Sequence, residues 1–267
     1  MSLTEALRAR RKRRAALRDC HSIADIRARA RRRIPRFAFD FLDGGAEDES
    51  ALARSRAAWG AIPLTPRVGR DVARRDPGVE LFGRRWAAPF GVAPTGLTGL
   101  AWPGADLMIA RAAAAANLPV AFSTLATATL EEAAAAVPEG HLWFQLYVPN
   151  RLETAFDLMR RARAVGVRVM LVTMDVAVLG KRERDLRNGF ALPLRPTPRL
   201  AWDLATHPRW SLAMLRSGPP RFATYAPYAP PEAASDAREL AAFIASQVMP
   251  SLTWDVLRRL RDAWPGI

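Results

Sequence analysis

The sequence predicts an α/β fold in which short buried strands alternate with helices. Between residues 88 and 174, four short apolar segments are bounded by turn signals, and the first three are each followed by a helical pattern. Their spacing suits parallel strands that are connected by crossover helices. At 267 residues, the chain is also long enough to form one large domain with a sizeable core.

The region before this alternation is predicted to be a helical cap. From 22 to 59 the apolar spacing is helical, with a break at Gly44-Gly45, which indicates two short helices and a turn. A proline-containing stretch over 62–77 leads to a predicted hairpin around 79–86. We therefore divide the chain into a basic leader at 1–21, a cap with its hairpin at 22–87, and an α/β region at 88–267.

Each of the first three predicted strands precedes a predicted helix. The strands are 88–93, 120–124, 141–148 and 167–174, and the helices are 104–116, 129–136 and 152–164. The second helix has a capping-box signal, because Thr129 precedes Glu132 by three residues. A parallel sheet of only four strands leaves an unpaired edge and an uncovered core face, so we expect the chain to be poorly stable alone.

A long insertion follows the fourth strand. Residues 180–250 contain proline clusters and a segment in which tryptophan and arginine recur, namely Trp202, Trp210, Arg199, Arg209 and Arg216. Long loops in compact domains are usually functional or disordered. This segment therefore has two interpretations: contact with a lipid interface, or a packed active-site lid or partner surface. A final helix is predicted over 253–263, and a fifth strand is expected to begin near Ile267.

The positive charge is concentrated near the amino terminus. Residues 1–36 hold thirteen basic and three acidic residues, in a chain whose net charge is +14. Such a block is typical of a solvated helix face, of a membrane-surface contact, or of nucleic-acid binding. It lacks the interleaved aromatic residues that stack on bases, so no nucleic-acid partner is predicted.

Cysteine and hydropathy patterns exclude several classes of protein. Cys20 is the only cysteine, which excludes an internal disulfide and any metal site built on several thiolates, and no metal site is predicted. No apolar run reaches the roughly 20 residues needed to cross a bilayer, and the amino terminus lacks the apolar core of a secretory signal. The expected location is the cytoplasm, with peripheral contact at the inner face of the membrane as an alternative.

Four segments carry a resemblance to a known family. They are FDFLDGGAEDE (39–49), APTGLTGLAWPGAD (93–106), LWFQLYV (142–148) and TMDVAVLGKRERD (173–185). In this order and spacing they resemble the FMN-dependent L-2-hydroxy-acid oxidases and dehydrogenases. SLTWDVLRRLRDAWP (251–265) is similar to the mandelate branch and THPRW (206–210) to the lactate branch. The resemblance implies a (β/α)8 TIM barrel, of which about the first four βα units lie at 88–267 behind the amino-terminal helical cap.

Several polar residues lie at the carboxyl ends of the predicted strands, where α/β barrels gather their functional groups. Ser123 ends the second strand. Alternation along a strand places Gln145 and Tyr147 on one face of the third, and Thr173 and Asp175 on one face of the fourth. We therefore expect these side chains to converge. Each also has a structural interpretation, such as a packed tyrosine or a helix-capping aspartate.

The resemblance assigns a role to each candidate. It implies FMN contacts for Ala93, Pro94, Thr95, Gly96, Ser123, Gln145 and Thr173. It implies that Tyr147 reaches the substrate hydroxyl, that Asp175 holds a catalytic histidine, and that Arg182 helps to hold the substrate side of the site. The ordinary alternatives are a strand-to-helix turn at 93–96 and a surface charge at Arg182. Phe41 stands where the family usually has a tyrosine that bonds the substrate carboxylate, which implies weaker carboxylate binding or a different substrate.

The family's remaining functional groups have no counterpart in this sequence. Its flavin-contacting lysine, its histidine base within an S-N-H-G-G-R-Q motif, its carboxylate-binding arginine and its flavin-phosphate site come from later strands. The three histidines here, His21, His141 and His207, do not lie at the carboxyl ends of predicted strands. We therefore expect this chain alone to be inactive and to bind FMN poorly.

The resemblance also implies the activity of the complete family enzyme. Such an enzyme would oxidise an L-2-hydroxy acid to the 2-oxo acid, pass the electrons to a quinone or another acceptor, and form a homo-oligomer. The alternative for this chain is a non-catalytic fragment that binds a membrane or a partner through its basic and Trp/Arg segments.

Overall fold

A computed structural model of the chain describes residues 18–176, 178, 180–190, 196–230, 239, 243, 246–247 and 249–267. Most of the predicted leader and parts of the predicted insertion therefore lie outside the described residues.

Three helices form the amino-terminal cap, so the prediction of two is wrong. They are α1 (Ile23–Arg31), α2 (Arg36–Asp43) and α3 (Ser50–Gly60). α1 begins with a capping box between Ser22 and Asp25. α2 begins directly after Pro35, which has no backbone N–H with which to continue α1. The predicted break at Gly44-Gly45 separates α2 from α3.

The predicted hairpin is present as β1 (Val79–Leu81) and β2 (Arg84–Trp86). Trp86 packs edge-on against His141 and Trp143, with ring centroids 5.6 and 6.1 Å apart. The guanidinium of Arg84 lies 4.9 Å from the centre of the Trp86 ring. Because His141 immediately precedes a strand of the main sheet, the hairpin covers the amino-terminal end of that sheet.

A parallel sheet of three strands forms the centre of the α/β region. In spatial order the strands are β3 (Val120–Ser123), β4 (Leu142–Tyr147) and β5 (Met170–Thr173). The helices around them are α4 (Ala105–Ala115), α5 (Leu130–Ala136) and α6 (Leu152–Ala164). The predicted capping box of Thr129 and Glu132 is present at the start of α5. These elements reproduce the predicted alternation, although β5 is shorter than the predicted strand at 167–174.

The first predicted strand, at 88–93, is wrong in extent. Only Val92 pairs with β3, donating to Pro119 O and accepting from the Ala121 N–H, both at 2.9 Å. Pro89 and Pro94 bracket this residue and cannot donate to a ladder, which limits the strand to a single bridge.

A further chain segment begins to pair with the opposite edge of the sheet. The Ile267 N–H donates to Arg168 O at 2.8 Å, and its carbonyl accepts from the Met170 N–H at 2.8 Å. These two bonds match a parallel ladder, which agrees with the expected start of a fifth strand at Ile267. From Val92 to Ile267, neighbouring strands therefore follow chain order.

The two faces of the parallel sheet differ in polarity. Phe122, Phe144 and Leu146 are buried against the helices in the larger core, together with Leu130 and Leu158. Alternation points the residues between them to the other face. That second face carries the polar side chains of the candidate site.

The insertion packs on the cap. Its described helices are α7 (Glu183–Asn188), α8 (Pro198–Thr206) and α9 (Pro208–Ser217), and α10 (Trp254–Ala263) follows. Trp210 of α9 is buried beside Phe37, and its indole N–H donates to Leu100 O at 3.0 Å. The interpretation that places Trp210 at a lipid interface is therefore wrong, whereas Trp202 is 73% exposed. Within the described residues, no helix is long and apolar enough to cross a bilayer.

Candidate functional site

A chain of hydrogen bonds joins three candidate residues across the sheet. Ser123 Oγ donates to Gln145 Oε1 at 3.0 Å, and Gln145 Nε2 donates to Thr173 Oγ1 at 2.8 Å. Ser123 and Gln145 are register partners on β3 and β4. Gln145 is only 2% exposed, so both ends of its amide group are satisfied within the protein. The predicted convergence of these side chains is therefore observed.

Tyr147 and Asp175 lie at the same end of the sheet as the hydrogen bonds that join Ser123, Gln145 and Thr173. Tyr147 is the register partner of Thr173, which ends β5 two residues before Asp175. Burial, and next the negative charge of Asp175, raise the pKa of the Tyr147 phenol above its ordinary value. Tyr147 is half-buried and Asp175 is exposed. The phenol therefore remains protonated at neutral pH, close enough to the carboxylate to sense its charge.

The turn at 93–96 packs against the loop that follows Ser123. The Leu97 N–H donates to Leu125 O at 2.9 Å, and a side chain on Gly96 would place its Cβ 3.1 Å from Leu125 Cβ. Ala93 and Thr95 are exposed. The turn thus lies beside the β3 end of the hydrogen-bond chain, with an open surface on its other side.

Asp106 connects the segment after the turn at 93–96 to the loop that follows Ser123 through hydrogen bonds. Its buried carboxylate accepts from Thr98 Oγ1 at 2.6 Å and from the Thr127 N–H at 3.0 Å, and it also accepts from the Thr127 hydroxyl. A buried carboxylate with three donors is a strong local constraint. The family resemblance assigns no role to Asp106, the last residue of the segment at 93–106. Its signal was a single acidic residue in an otherwise uncharged segment.

Phe41 and Arg182 form a separate contact between cap and insertion. The guanidinium of Arg182 lies 5.0 Å from the centre of the Phe41 ring and donates to Phe41 O and to Asp185 Oδ2, the latter at 2.6 Å. Among the described residues, no hydrogen bond or ion pair joins this pair to Tyr147 or Asp175. The substrate roles of Phe41 and Arg182 therefore stay predictions.

None of the three histidines lies at the carboxyl-terminal end of the sheet, where a catalytic base would be needed. His141 lies at the amino end of β4 beneath the hairpin, where burial, and next the charge of Arg84, lower its pKa. His207 lies between α8 and α9, with Nδ1 2.7 Å from Asp203 O. His21 precedes α1 and is exposed. Their positions agree with the sequence-based expectation for all three.

The comparisons with known proteins identify the family. Residues 30–267 match the sequence profile of the FMN-dependent dehydrogenase family. The (S)-mandelate dehydrogenase of Pseudomonas putida is 38% identical over 244 residues, which are 91% of this chain and 61% of that protein. The L-lactate dehydrogenase of Caulobacter vibrioides is 39% identical over 248 residues, which are 92% of this chain and 63% of that protein.

A solved structure has the same architecture. The monotopic membrane protein (S)-mandelate dehydrogenase superposes with a TM-score of 0.87 at 37% identity, over 93% of this chain and 65% of that one. This chain thus spans less than two thirds of the length of these relatives, and it corresponds to their amino-terminal portion. The predicted TIM-barrel fold, the oxidoreductase class and the FMN cofactor are confirmed at the level of the family. The chain belongs to the FMN-dependent dehydrogenase family.

Proposed function

We propose that this chain provides the flavin-ring side of an active site that oxidises an L-2-hydroxy acid, mandelate- or lactate-like, to the 2-oxo acid. One observation carries the proposal. Ser123, Gln145 and Thr173 form one hydrogen-bond chain at the edge of the sheet where Tyr147 and Asp175 also lie. α/β barrels carry their chemistry at this edge. The mandelate and lactate dehydrogenase relatives support the substrate class.

The polar groups of this edge suit the ring of FMN. The Thr173 hydroxyl accepts from Gln145 and keeps its own proton to donate, and the Gln145 amide has a second N–H. Ala93 and Thr95 are exposed, so the side of the turn at 93–96 that faces away from Leu125 is open to a planar ring. These groups would hold the ring, and FMN when bound supplies the capacity to accept two electrons from the substrate.

Tyr147 and Asp175 would act on the substrate side of the ring. The raised pKa of Tyr147 keeps its phenol protonated, so it donates a hydrogen bond to the substrate hydroxyl oxygen. Asp175 forms no ion pair within the described residues and is exposed. It is therefore available to orient a histidine base and to stabilise that histidine once it is protonated.

Phe41 and Arg182 would lie on the carboxylate side of the substrate. Their mutual contact supports a common role, because the Arg182 guanidinium covers the Phe41 ring. A phenyl ring cannot donate a hydrogen bond to a carboxylate. Carboxylate binding is therefore weaker than in a relative with tyrosine at this position, or the preferred substrate differs.

The chain alone is proposed to be inactive and to bind FMN weakly. General-base catalysis needs a proton acceptor within hydrogen-bond reach of the substrate. The two buried or tethered histidines, His141 and His207, lie elsewhere in the fold, and His21 precedes the cap. A base would therefore have to come from a segment like the unmatched part of the relatives.

Anaerobic flavin reduction tests this proposal. The chain with FMN and either L-mandelate or L-lactate should leave the flavin absorbance unchanged. A chimera that joins residues 1–267 to the unmatched carboxyl-terminal part of the Pseudomonas putida relative should bleach it with at least one acid, and Gln145→Leu in the chimera should weaken FMN binding. Bleaching by the chain itself, abolished by replacing one of its three histidines, would contradict the account.

A second candidate function is attachment to a membrane surface. A groove of about 640 Å³ lies between α1 and the junction of α8 and α9, lined by arginines and apolar residues that include Arg29, Arg32, Arg33, Arg209, Ile26 and Trp102. None of these arginines forms an ion pair within the described residues. Trp202 of α8 and Leu215 of α9 are also largely exposed. The description of one relative as a monotopic membrane protein favours this candidate.

We place the complete enzyme in the cytoplasm, as a homo-oligomer bound to the inner face of the membrane, with a quinone or another acceptor taking its electrons.

Vesicle sedimentation tests the attachment. The chain should sediment with vesicles that contain phosphatidylglycerol and less with phosphatidylcholine alone, because arginines attract anionic lipid. The double substitution Arg32→Glu and Arg209→Glu should reduce the difference. Arg74→Glu with Arg75→Glu, an equal charge change on the exposed segment before the hairpin, should not.

A further inference from the structure

Thr124 is a fully buried residue whose side chain extends the ladder between β3 and β4. Its backbone N–H donates to Gln145 O at 3.1 Å, and its hydroxyl donates to the same oxygen at 2.6 Å. The hydroxyl also accepts from the Tyr147 N–H at 3.1 Å. In a regular parallel ladder the Tyr147 N–H would donate to the Thr124 carbonyl. The hydroxyl therefore takes the place of that carbonyl.

This replacement allows the two strands to diverge. Directly after Thr124 the chain turns away from the sheet, since the Ala126 N–H donates to Ser123 O and the Leu125 N–H to Ser123 Oγ, both at 3.1 Å. β4, in contrast, continues straight to Tyr147. The threonine hydroxyl keeps the end of β4 bonded to β3 after the β3 backbone has left.

We propose that Thr124 is a positioning residue for Gln145 and Tyr147. It holds the backbone on both sides of Leu146, whose own side chain is fully buried in the core on the opposite face. The segment that carries the two polar side chains is thus held by the Thr124 hydroxyl at its backbone and by Leu146 in the core. Thr124 is itself 0% exposed, so it acts through its neighbours rather than by touching a ligand.

The functional meaning of this role rests on the proposed FMN site, whereas the backbone contact stands independently of it. The Ser123 hydroxyl cannot substitute for Thr124, because it already donates to Gln145 and accepts from Leu125. Valine has nearly the shape of threonine without the hydroxyl, while serine retains the hydroxyl without the methyl group. The two substitutions therefore separate the hydrogen bonds from the packing.

Amide hydrogen exchange in the full chain tests the proposal. In Thr124→Val, the Tyr147 amide should exchange about tenfold faster relative to the Phe144 amide, the change that corresponds to losing about 1.4 kcal/mol of local protection. Phe144 is the internal reference, because its N–H donates to Val169 O, directly before β5 on the other side of β4. Thr224→Val is the matched control, since Thr224 is also fully buried and donates one bond, to Ala128 O, away from β4.

Thr124→Ser should keep the relative exchange of Tyr147 within about twofold of the unsubstituted chain, since the hydroxyl is retained. Unchanged relative exchange in Thr124→Val overturns the proposal, as does faster relative exchange in Thr124→Ser. If Thr124→Val does not fold, Thr124→Ala, which also removes the hydroxyl, replaces it in the same comparison with Thr124→Ser. An FMN titration of the same variants is read separately. Faster Tyr147 exchange without any FMN binding leaves the positioning contact standing and removes the proposed function.

Discussion

The two ends of β4 carry polar residues in opposite situations. At the amino end, His141 lies under the hairpin, enclosed by Trp86 and Arg84. At the carboxyl end, Gln145 and Tyr147 lie on an edge where hydrogen-bonding groups remain available and Asp175 is exposed. One strand therefore shows how a polar residue can serve packing at one end and be available for a ligand at the other.

The difference follows from what covers each end. Rings and a guanidinium fill the space around His141, and burial lowers its pKa and keeps it neutral. At the other end Gln145 is also buried, but Tyr147 is half-buried and Asp175 is exposed, so a fixed side chain lies beside an open surface, which is the arrangement that ligand sites require. Changes at the amino end should therefore affect folding stability, and changes at the carboxyl end should affect binding.

The largest expected effect is on stability at the amino end. Trp86 is buried and contacts His141, Trp143 and Arg84. Trp86→Ala should lower the free energy of unfolding by about 3–5 kcal/mol, as other aromatic-to-alanine truncations do. Denaturant unfolding measures the change. The control Trp59→Ala, at a largely exposed residue, should change it by less than about 0.5 kcal/mol, and equal losses in both variants would contradict the assigned role of the hairpin.

A smaller effect is expected at the loops beside the site. Asp106→Asn should lower the free energy of unfolding by about 2–3 kcal/mol, because it removes the charge from a buried acceptor of three hydrogen bonds. Amide exchange at Leu97 and Thr127 should rise together, since the carboxylate joins their two loops. Independent behaviour of these two amides would show that Asp106 does not couple the loops.

The buried His141 should make the free energy of unfolding depend on pH. The folded-state pKa of His141 is lowered, first by burial and then by Arg84, so folding favours the neutral ring. This contribution is fully present above the unfolded pKa of about 6.5 and is lost as the pH falls from there through the lower folded pKa. Unfolding free energies measured from pH 8 to pH 5 should fall less steeply in His141→Gln than in the unsubstituted chain. Parallel curves would refute the prediction.

The smallest effect concerns two neighbouring arginines on the hairpin. Arg84 lies over Trp86 and donates to Glu139 O at 2.7 Å, whereas Arg85 pairs with Asp76 where both side chains are mainly exposed. Arg85→Ala should change the free energy of unfolding by less than about 0.5 kcal/mol. Arg84→Ala should change it more. A reversed order, measured by denaturant unfolding, would mean that the exposed ion pair stabilises the hairpin.

Local signals allowed much of the fold to be predicted from the sequence. The capping box at Thr129 and the helix at 152–164 depend on residues within one element, and both are present as predicted. The apolar run at 88–93 predicts a longer strand than the single bridge at Val92, because Pro89 and Pro94 cannot donate to a ladder. The burial of Trp210 depends on a bond to Leu100, 110 residues away, which no local pattern reveals.

The same distinction applies to the candidate site. Alternation along β4 was enough to place Gln145 and Tyr147 on one face, and strand order brought Ser123 and Thr173 beside them. The role of Thr124 could not be predicted from the sequence, because it depends on where the β3 backbone turns away from β4. Its only signal was a second hydroxyl residue directly after Ser123.

An FMN titration that compares the two ends of β4 tests the central claim most directly. Binding by the unsubstituted chain should be weak, and Gln145→Leu should weaken it by a further factor of roughly ten, the loss of about one hydrogen bond to the ring. Trp86→Phe should lower stability without changing FMN affinity at a temperature where the chain is folded. Equal FMN binding by the unsubstituted chain and Gln145→Leu, with both folded, would contradict the assignment of the carboxyl-terminal edge as the flavin site.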